Sequence, residues 1–169
     1  MNGQVILLNG PSSSGKSTLA KGLQAFLREC SGVESAIVSI DDFMCKILGE
    51  DESIYEDDVY EISGAMCDEV LRLLDGVACV IVDHVITSER IFRQLTDAMQ
   101  AKRLLSVRVE CPLEVLLQRE QARGNRCVGS AEASYTYLYP KQGYDVCVNT
   151  HTMTTVQCCE QILQMLKGE

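Results

Sequence analysis

Residues 10–17 read Gly-Pro-Ser-Ser-Ser-Gly-Lys-Ser and satisfy the pattern G-x-x-x-x-G-K-[ST]. The apolar run Val5-Ile6-Leu7-Leu8 precedes them, and Ser17–Arg28 follows with Leu19, Leu23, Phe26 and Leu27 on one helical face. Between a strand and a helix, Gly10 and Gly15 let the backbone curl until successive N–H groups face inward, toward phosphate oxygens. Lys16 is expected to reach the β- and γ-phosphates of a nucleotide, and the Ser17 hydroxyl to ligate Mg²⁺. Ser12, Ser13, Ser14 and Thr18 complete the residues expected against the phosphates. The other reading of the motif, a Gly/Ser turn beside a solvated lysine, leaves the strand-then-helix context unexplained.

A nucleotide so held can give up its terminal phosphate to an acceptor or to water, or keep it. No NKxD guanine clamp of the regulatory GTPases occurs in the chain, which directs attention to an acceptor alcohol. Such transfer needs a carboxylate within ~2.6–3.2 Å of the attacking hydroxyl. Asp41 and Asp42 follow the second expected strand, whose carboxyl end lies on the ligand side of an open α/β sheet. Asp41 is expected to be the base and Asp42 the alternative; both could instead cap a helix. Asp83 closes the apolar run Val77–Val82 and is placed to support the metal, directly or through water. Its alternatives are a helix cap or a salt bridge. His84 beside it either senses the acceptor or packs as a neutral imidazole. Arg119, Arg123 and Arg126 lie in one basic stretch, the first two four residues apart on one helical face. Like charges at that spacing disfavour an isolated helix, so an anion is inferred to face them, with Gly124 a hinge for closure. A solvated basic face paired with Glu114 and Glu120 is the competing reading.

The elements that must carry these residues alternate strand and helix, which implies a mainly parallel sheet covered on both faces. Strands are expected at Val5–Leu8, Ala36–Ile40, Val77–Val82, Leu104–Val109 and Val146–Val148. Helices are expected at Ser17–Arg28, Val59–Leu74, Ser88–Ala101, after Pro112, and from Thr155 to Leu166. The polar stretch GEDESIYEDD, residues 49–58, reads as an exposed insertion. With 169 residues, no repeats and no low-complexity linker, the chain is expected to form a single domain over 1–169.

Composition narrows the partners. Apolar residues make up 46% and charged residues 23%, an ordinary globular profile. A formal net charge of −9 argues against nucleic acid, which demands basic stripes. No apolar run approaches the ~20 residues that cross a bilayer, and the N-terminal residues lack the pattern of a signal peptide. No membrane partner and a cytoplasmic location are therefore expected. The nine cysteines are odd in number, contain no CxxC, and fall mostly in apolar segments (Cys79, Cys111, Cys147), so reduced buried thiols are expected.

Taken together, GPSSSGKS, the acid in SIDDF, VIVDHV, and VRVECPLEVLLQREQARGNRCVGSAEASY followed by YDVCVNT resemble the chloramphenicol phosphotransferase-like proteins. The resemblance spans nearly the whole chain, and RExxRGxR with the downstream YDVxVxT is its more specific part. It implies an α/β three-layer sandwich of the P-loop kinase type, with five parallel strands in the order 2-3-1-4-5. It also implies an Arg-rich lid over about residues 113–139, and ATP- and Mg²⁺-dependent phosphorylation of a small-molecule hydroxyl. Carried over by position, Lys16 and Ser17 bind phosphate and metal, Asp41 is the base, and Arg119, Arg123 and Arg126 are lid arginines. Asn149-Thr150 falls near the adenine. Residues 43–66 are expected to line the acceptor pocket, without revealing whether the acceptor is chloramphenicol or another alcohol. Two other functions compete: a nucleoside or nucleotide kinase, and a nucleotide-binding regulatory module that transfers to no acceptor.

Overall fold

The computed structural model describes residues 3–48, 54–124 and 127–168. Five parallel strands form one sheet: β1 (Gln4–Asn9), β2 (Ser35–Ser39), β3 (Cys79–His84), β4 (Arg103–Glu110) and β5 (Val146–Asn149). Their order is β2-β3-β1-β4-β5, as expected. β1 and β3 sit centrally and are apolar on both faces, because a strand covered by helices on each side meets no water. Ile6, Leu8 and Ile81 pack with Leu19, Leu23 and Leu27 of α1 (Lys16–Ser31) and with Ile162 of α7 (Thr155–Lys167). On the other face Val5, Leu7, Val80 and Val82 pack with Ile62, Met66 and Val70 of α3 (Glu56–Leu73) and with Ile91 and Leu95 of α4 (Glu89–Ala98). Each fully buried side chain of this kind contributes about 1.5–3 kcal/mol. Three layers result, with the carboxyl ends of the strands at one edge.

Three expectations need correction. Ile40 does not close β2; it opens a helix, α2 (Ile40–Leu48), whose first turn holds Asp41 and Asp42. β3 begins and ends two residues later than expected, so Asp83 and His84 lie inside the strand, in register with Leu8 and Asn9 of β1. Cys30, Cys45, Cys127 and Cys147 are exposed, not buried as expected of the cysteines, and Cys147 is so because it alternates outward on the edge strand β5. Within the polar stretch, residues 49–53 lie outside the described residues, while Glu56, Asp57 and Asp58 form the first turn of α3. That turn is where acidic side chains favour the helix dipole. The basic stretch forms α5 (Leu113–Arg123), joined to a helix not anticipated, α6 (Ser130–Tyr137).

Candidate active site

The phosphate cradle follows from β1 and α1. β1 delivers Gly10 against β4 so closely that a Cβ there would meet the Val109 carbonyl oxygen at 2.5 Å. Only glycine fits. Gly15 ends the loop at φ +85° as the N-cap of α1, and Ser13 also lies in the left-handed region at φ +66°. α1 has neither a side-chain cap nor an acid in its first turn, whereas α7 is capped by Thr154 and Gln157. No acid in its own first turn thus offsets the positive end of this helix, where an anion is favoured. Among the described residues Ser13 Oγ, buried at the same place, finds no hydrogen-bond partner. Lys16, 6% exposed, folds back so that Nζ donates to Pro11 O at 2.8 Å and to Ser14 Oγ at 3.4 Å. These features fit a polyphosphate. The Ser12 amide is spent differently: it donates to Ser134 Oγ at 2.9 Å, which ties α6 to the loop.

Ser17, at the start of α1, donates its hydroxyl to Asp83 Oδ2 at 2.7 Å. A hydroxyl and a nearly buried carboxylate side by side form a donor pair suited to a hard divalent cation. The same pocket is lined by Lys16, Asp41 and Arg123. Of the two acids in α2, Asp41 is half-buried and lines this pocket; Asp42 is exposed and does not. The first turn of α2 is what separates them, since successive residues on a helix diverge in direction.

A second cavity of about 400 Å³ opens beside the cradle, lined by Gly15, Thr18, Arg119, Arg123, Thr150 and Met153 among others. Its size suits a nucleoside. Arg119 Nη1 reaches Ser13 O and Thr150 Oγ1, both at 3.4 Å, and Thr150 Oγ1 donates to Ser14 O at 2.5 Å. The loop after β5 is thereby latched onto the cradle. Among the described residues Glu120 forms no ion pair with Arg119 or Arg123. It is buried and accepts from Gly129 N at 3.1 Å and Ala131 N at 2.8 Å, which fixes the start of α6 to α5. Among the described residues no ion pair joins Arg119 or Arg123 to Glu114. Gly124 caps α5 at φ +64°, and Arg126 lies outside the described residues.

Two residues matter more than the motifs suggested. Asn9, fully buried at the end of β1, donates from Nδ2 to Tyr139 O and Tyr144 Oη and accepts from Ile86 N, each at 2.9 Å. It joins the segment after β3 to the segment before β5, at the residue that precedes Gly10. The only sequence signal is a polar residue closing an apolar strand. His84 is also fully buried, with Nε2 3.3 Å from Ser63 Oγ of α3. Burial pushes its pKa down to about 4, a backbone group of Val85 opposes this, and Lys16 and Asp41 add smaller effects of opposite sign. It is a neutral imidazole in this setting.

A family model of chloramphenicol phosphotransferase-like proteins matches residues 3–167. The chain belongs to this family. The matched range spans the cradle, the Ser17–Asp83 pair and the α5–α6 segment. Solved structures share the fold at low identity. The Mycobacterium tuberculosis APS kinase CysC, in complex with AMPPNP and APS, superposes with a TM-score of 0.79 at 18% identity, covering 98% of each chain. A gluconokinase from Sinorhizobium meliloti 1021 gives 0.69 at 18% identity, covering 98% of this chain and 92% of its own. The Deinococcus radiodurans tunicamycin resistance protein gives 0.65 at 20% identity, covering 97% and 95%. No curated protein matches the sequence. This chain therefore shares the fold of these P-loop kinases, with its five parallel strands in the order β2-β3-β1-β4-β5.

Proposed function

We propose that the protein is a kinase that transfers the γ-phosphate of ATP to a hydroxyl of a small molecule, with Mg²⁺ as cofactor. The observation that carries this reading is one pocket in which Lys16, Ser17, Asp83 and Asp41 converge. Lys16 and the first amides of α1 bind the phosphates and neutralise charge there. Ser17 and Asp83 would hold Mg²⁺, which when bound supplies further neutralisation of the phosphates. Asp41 accepts the proton of the attacking hydroxyl, and its half-buried position beside the cradle supports that role over Asp42. Arg119 and Arg123 of α5 stabilise charge on the group in transfer and hold the nucleotide in the adjoining cavity. Arg126 is proposed as a third cation of an Arg-rich lid closing over the site. Thr150 belongs to the nucleotide cavity, in keeping with its latch onto Ser14 and Arg119. The acceptor is chloramphenicol or another alcohol, and the enzyme acts as a single domain in the cytoplasm.

The test is ADP formation measured with and without acceptor alcohols. Wild type is expected to respond to its acceptor, whereas Asp41→Asn binds ATP normally and loses the acceptor-dependent rate. Equal, acceptor-independent turnover in both proteins would instead identify a nucleotide-binding regulatory module.

A further inference from the structure

Arg119 and Glu120 are neighbours on α5 whose side chains leave the helix in different directions. Arg119 turns to the cradle, with Nη1 3.4 Å from Ser13 O and from Thr150 Oγ1, and Nη2 3.5 Å from Thr150 O. Good hydrogen bonds from a cation are shorter than this, about 2.7–2.9 Å. These contacts alone therefore do not fix α5 against the cradle.

Glu120 supplies the stronger hold. It is buried, and its two oxygens serve separate donors: Oε2 accepts from Gly129 N at 3.1 Å and Oε1 from Ala131 N at 2.8 Å. Gly129 is the N-cap of α6 and Ala131 lies in its first turn. Burying a carboxylate is costly, and a Ser, Thr or Asp at position 129 could cap a helix without that cost. Here the N-cap is a glycine at φ +95°, α6 has no side-chain cap of its own, and the acid comes from another helix. The arrangement spends a buried charge on joining α5 to α6. The main-chain carbonyl of Glu120 also accepts from Gly124 N at 3.4 Å, so this one residue holds the end of α5 and the start of α6.

α6 in turn reaches the phosphate loop. Ser134 is buried; its Oγ donates to Ser130 O at 2.6 Å and accepts from Ser12 N at 2.9 Å. On either side of Ser12, the Pro11 carbonyl accepts from Lys16 Nζ at 2.8 Å and the Ser13 carbonyl faces Arg119. The contacts therefore close on themselves, from Arg119 through Glu120, α6, Ser134 and Ser12 to Ser13 and back to Arg119.

We propose that Glu120 and Ser134 are positioning residues for phosphoryl transfer: they make α5, α6 and the phosphate loop one bracket that presents Arg119 to the phosphate held by Lys16. The proposal rests on the kinase reading.

Glu120→Gln is nearly isosteric but sets an NH₂ against one of the two amides, which then loses its acceptor. Transfer from γ-³²P-labelled MgATP is measured with chloramphenicol, or with whichever alcohol of a hydroxylated pool wild type phosphorylates. Each variant is assayed at a temperature where circular dichroism shows it folded. Glu120→Gln is expected to lower kcat about tenfold or more, as misplacing a group by a fraction of an ångström does, with the acceptor KM within about threefold. In an Arg119→Ala background the same change is expected to lower kcat less than about twofold, because no guanidinium is left to misplace. A purely structural Glu120 would give equal losses in both backgrounds. Equal losses, or wild-type kcat in Glu120→Gln, overturn the proposal and leave the kinase reading intact. If Glu120→Gln does not fold, Ser134→Ala cuts the bracket at its other end and carries the same comparison. Wild type alone gives a further test: AMPPNP with Mg²⁺ is expected to slow hydrogen exchange at the Gly129 and Ala131 amides together with that of Ser12. Absence of transfer to any alcohol overturns the kinase reading. The bracket is then judged on exchange: shared protection upholds it, and protection confined to Ser12 overturns it.

Discussion

Replacing Ser17 with alanine separates the metal's contribution from the nucleotide's. In the structure the Ser17 hydroxyl donates to Asp83 Oδ2 at 2.7 Å, and Asp83 is 5% exposed. A hydrogen bond to a charged group contributes about 1.5–3 kcal/mol, so Ser17→Ala should destabilise the ligand-free protein by about 2 kcal/mol. For a chain of this size that corresponds to a fall in Tm of roughly 4–8 °C. Ligand then adds a second reading: nucleotide at 100 times its Kd stabilises the folded state by about 2.7 kcal/mol. Wild type should gain more from ATP with Mg²⁺ than from ATP with EDTA, because Ser17 and Asp83 hold the cation. Ser17→Ala should gain the same from both. Urea unfolding with each ligand condition measures all four quantities. A variant within 0.5 kcal/mol of wild type that still responds to Mg²⁺ would refute the assignment of this pair.

Three further outcomes are expected. Asn9→Ala strands the buried Ile86 N–H, which Asn9 Oδ1 now satisfies, and should cost about 2–4 kcal/mol in urea unfolding. Tyr144→Phe removes one partner of Asn9 and should cost about 1 kcal/mol, and equal losses in the two variants would contradict the ranking. Gly10→Ala places a methyl 2.5 Å from the Val109 carbonyl; stability should drop by about 1–3 kcal/mol and calorimetric ATP affinity at least tenfold, so wild-type affinity would show that the loop tolerates the shift. Asp41→Asn should lower kcat about 100-fold or more with ATP affinity kept, while Asp42→Asn stays within a few-fold of wild type; the reverse order would move the base to Asp42.

The cradle was legible because its chemistry is local. Gly10 through Thr18 are contiguous, and the apolar runs on each side identify the strand and the helix that position them. The sheet order entered through the family resemblance, since periodicity says nothing about which strands are neighbours. Features that depend on tertiary contact were missed. α2 begins at Ile40 because the chain must turn back toward α3, and the apolar character of Ile40 read as one more strand residue. α6 has weak helical periodicity, and what fixes it is non-local: Glu120 at its first turn and Ser134 on the Ser12 amide. Asn9 lies just beyond the expected strand Val5–Leu8 and carries no motif of its own, because its three partners lie 77 to 135 residues away. Cys147 was expected inside because its neighbours are valines, but on an edge strand alternate residues face outward. Gly10 was expected to let the backbone curl; the structure adds the close approach of β4.

Transfer of labelled phosphate tests the central claim most directly. MgATP carrying ³²P in the γ position is incubated with chloramphenicol and, in parallel, with a pool of hydroxylated metabolites, nucleosides and antibiotics, using wild type and Asp41→Asn. Label is predicted on a small-molecule hydroxyl with wild type and lost with Asp41→Asn. Label released only as free phosphate, at equal rates in the two proteins, would contradict both the kinase assignment and the role given to Asp41.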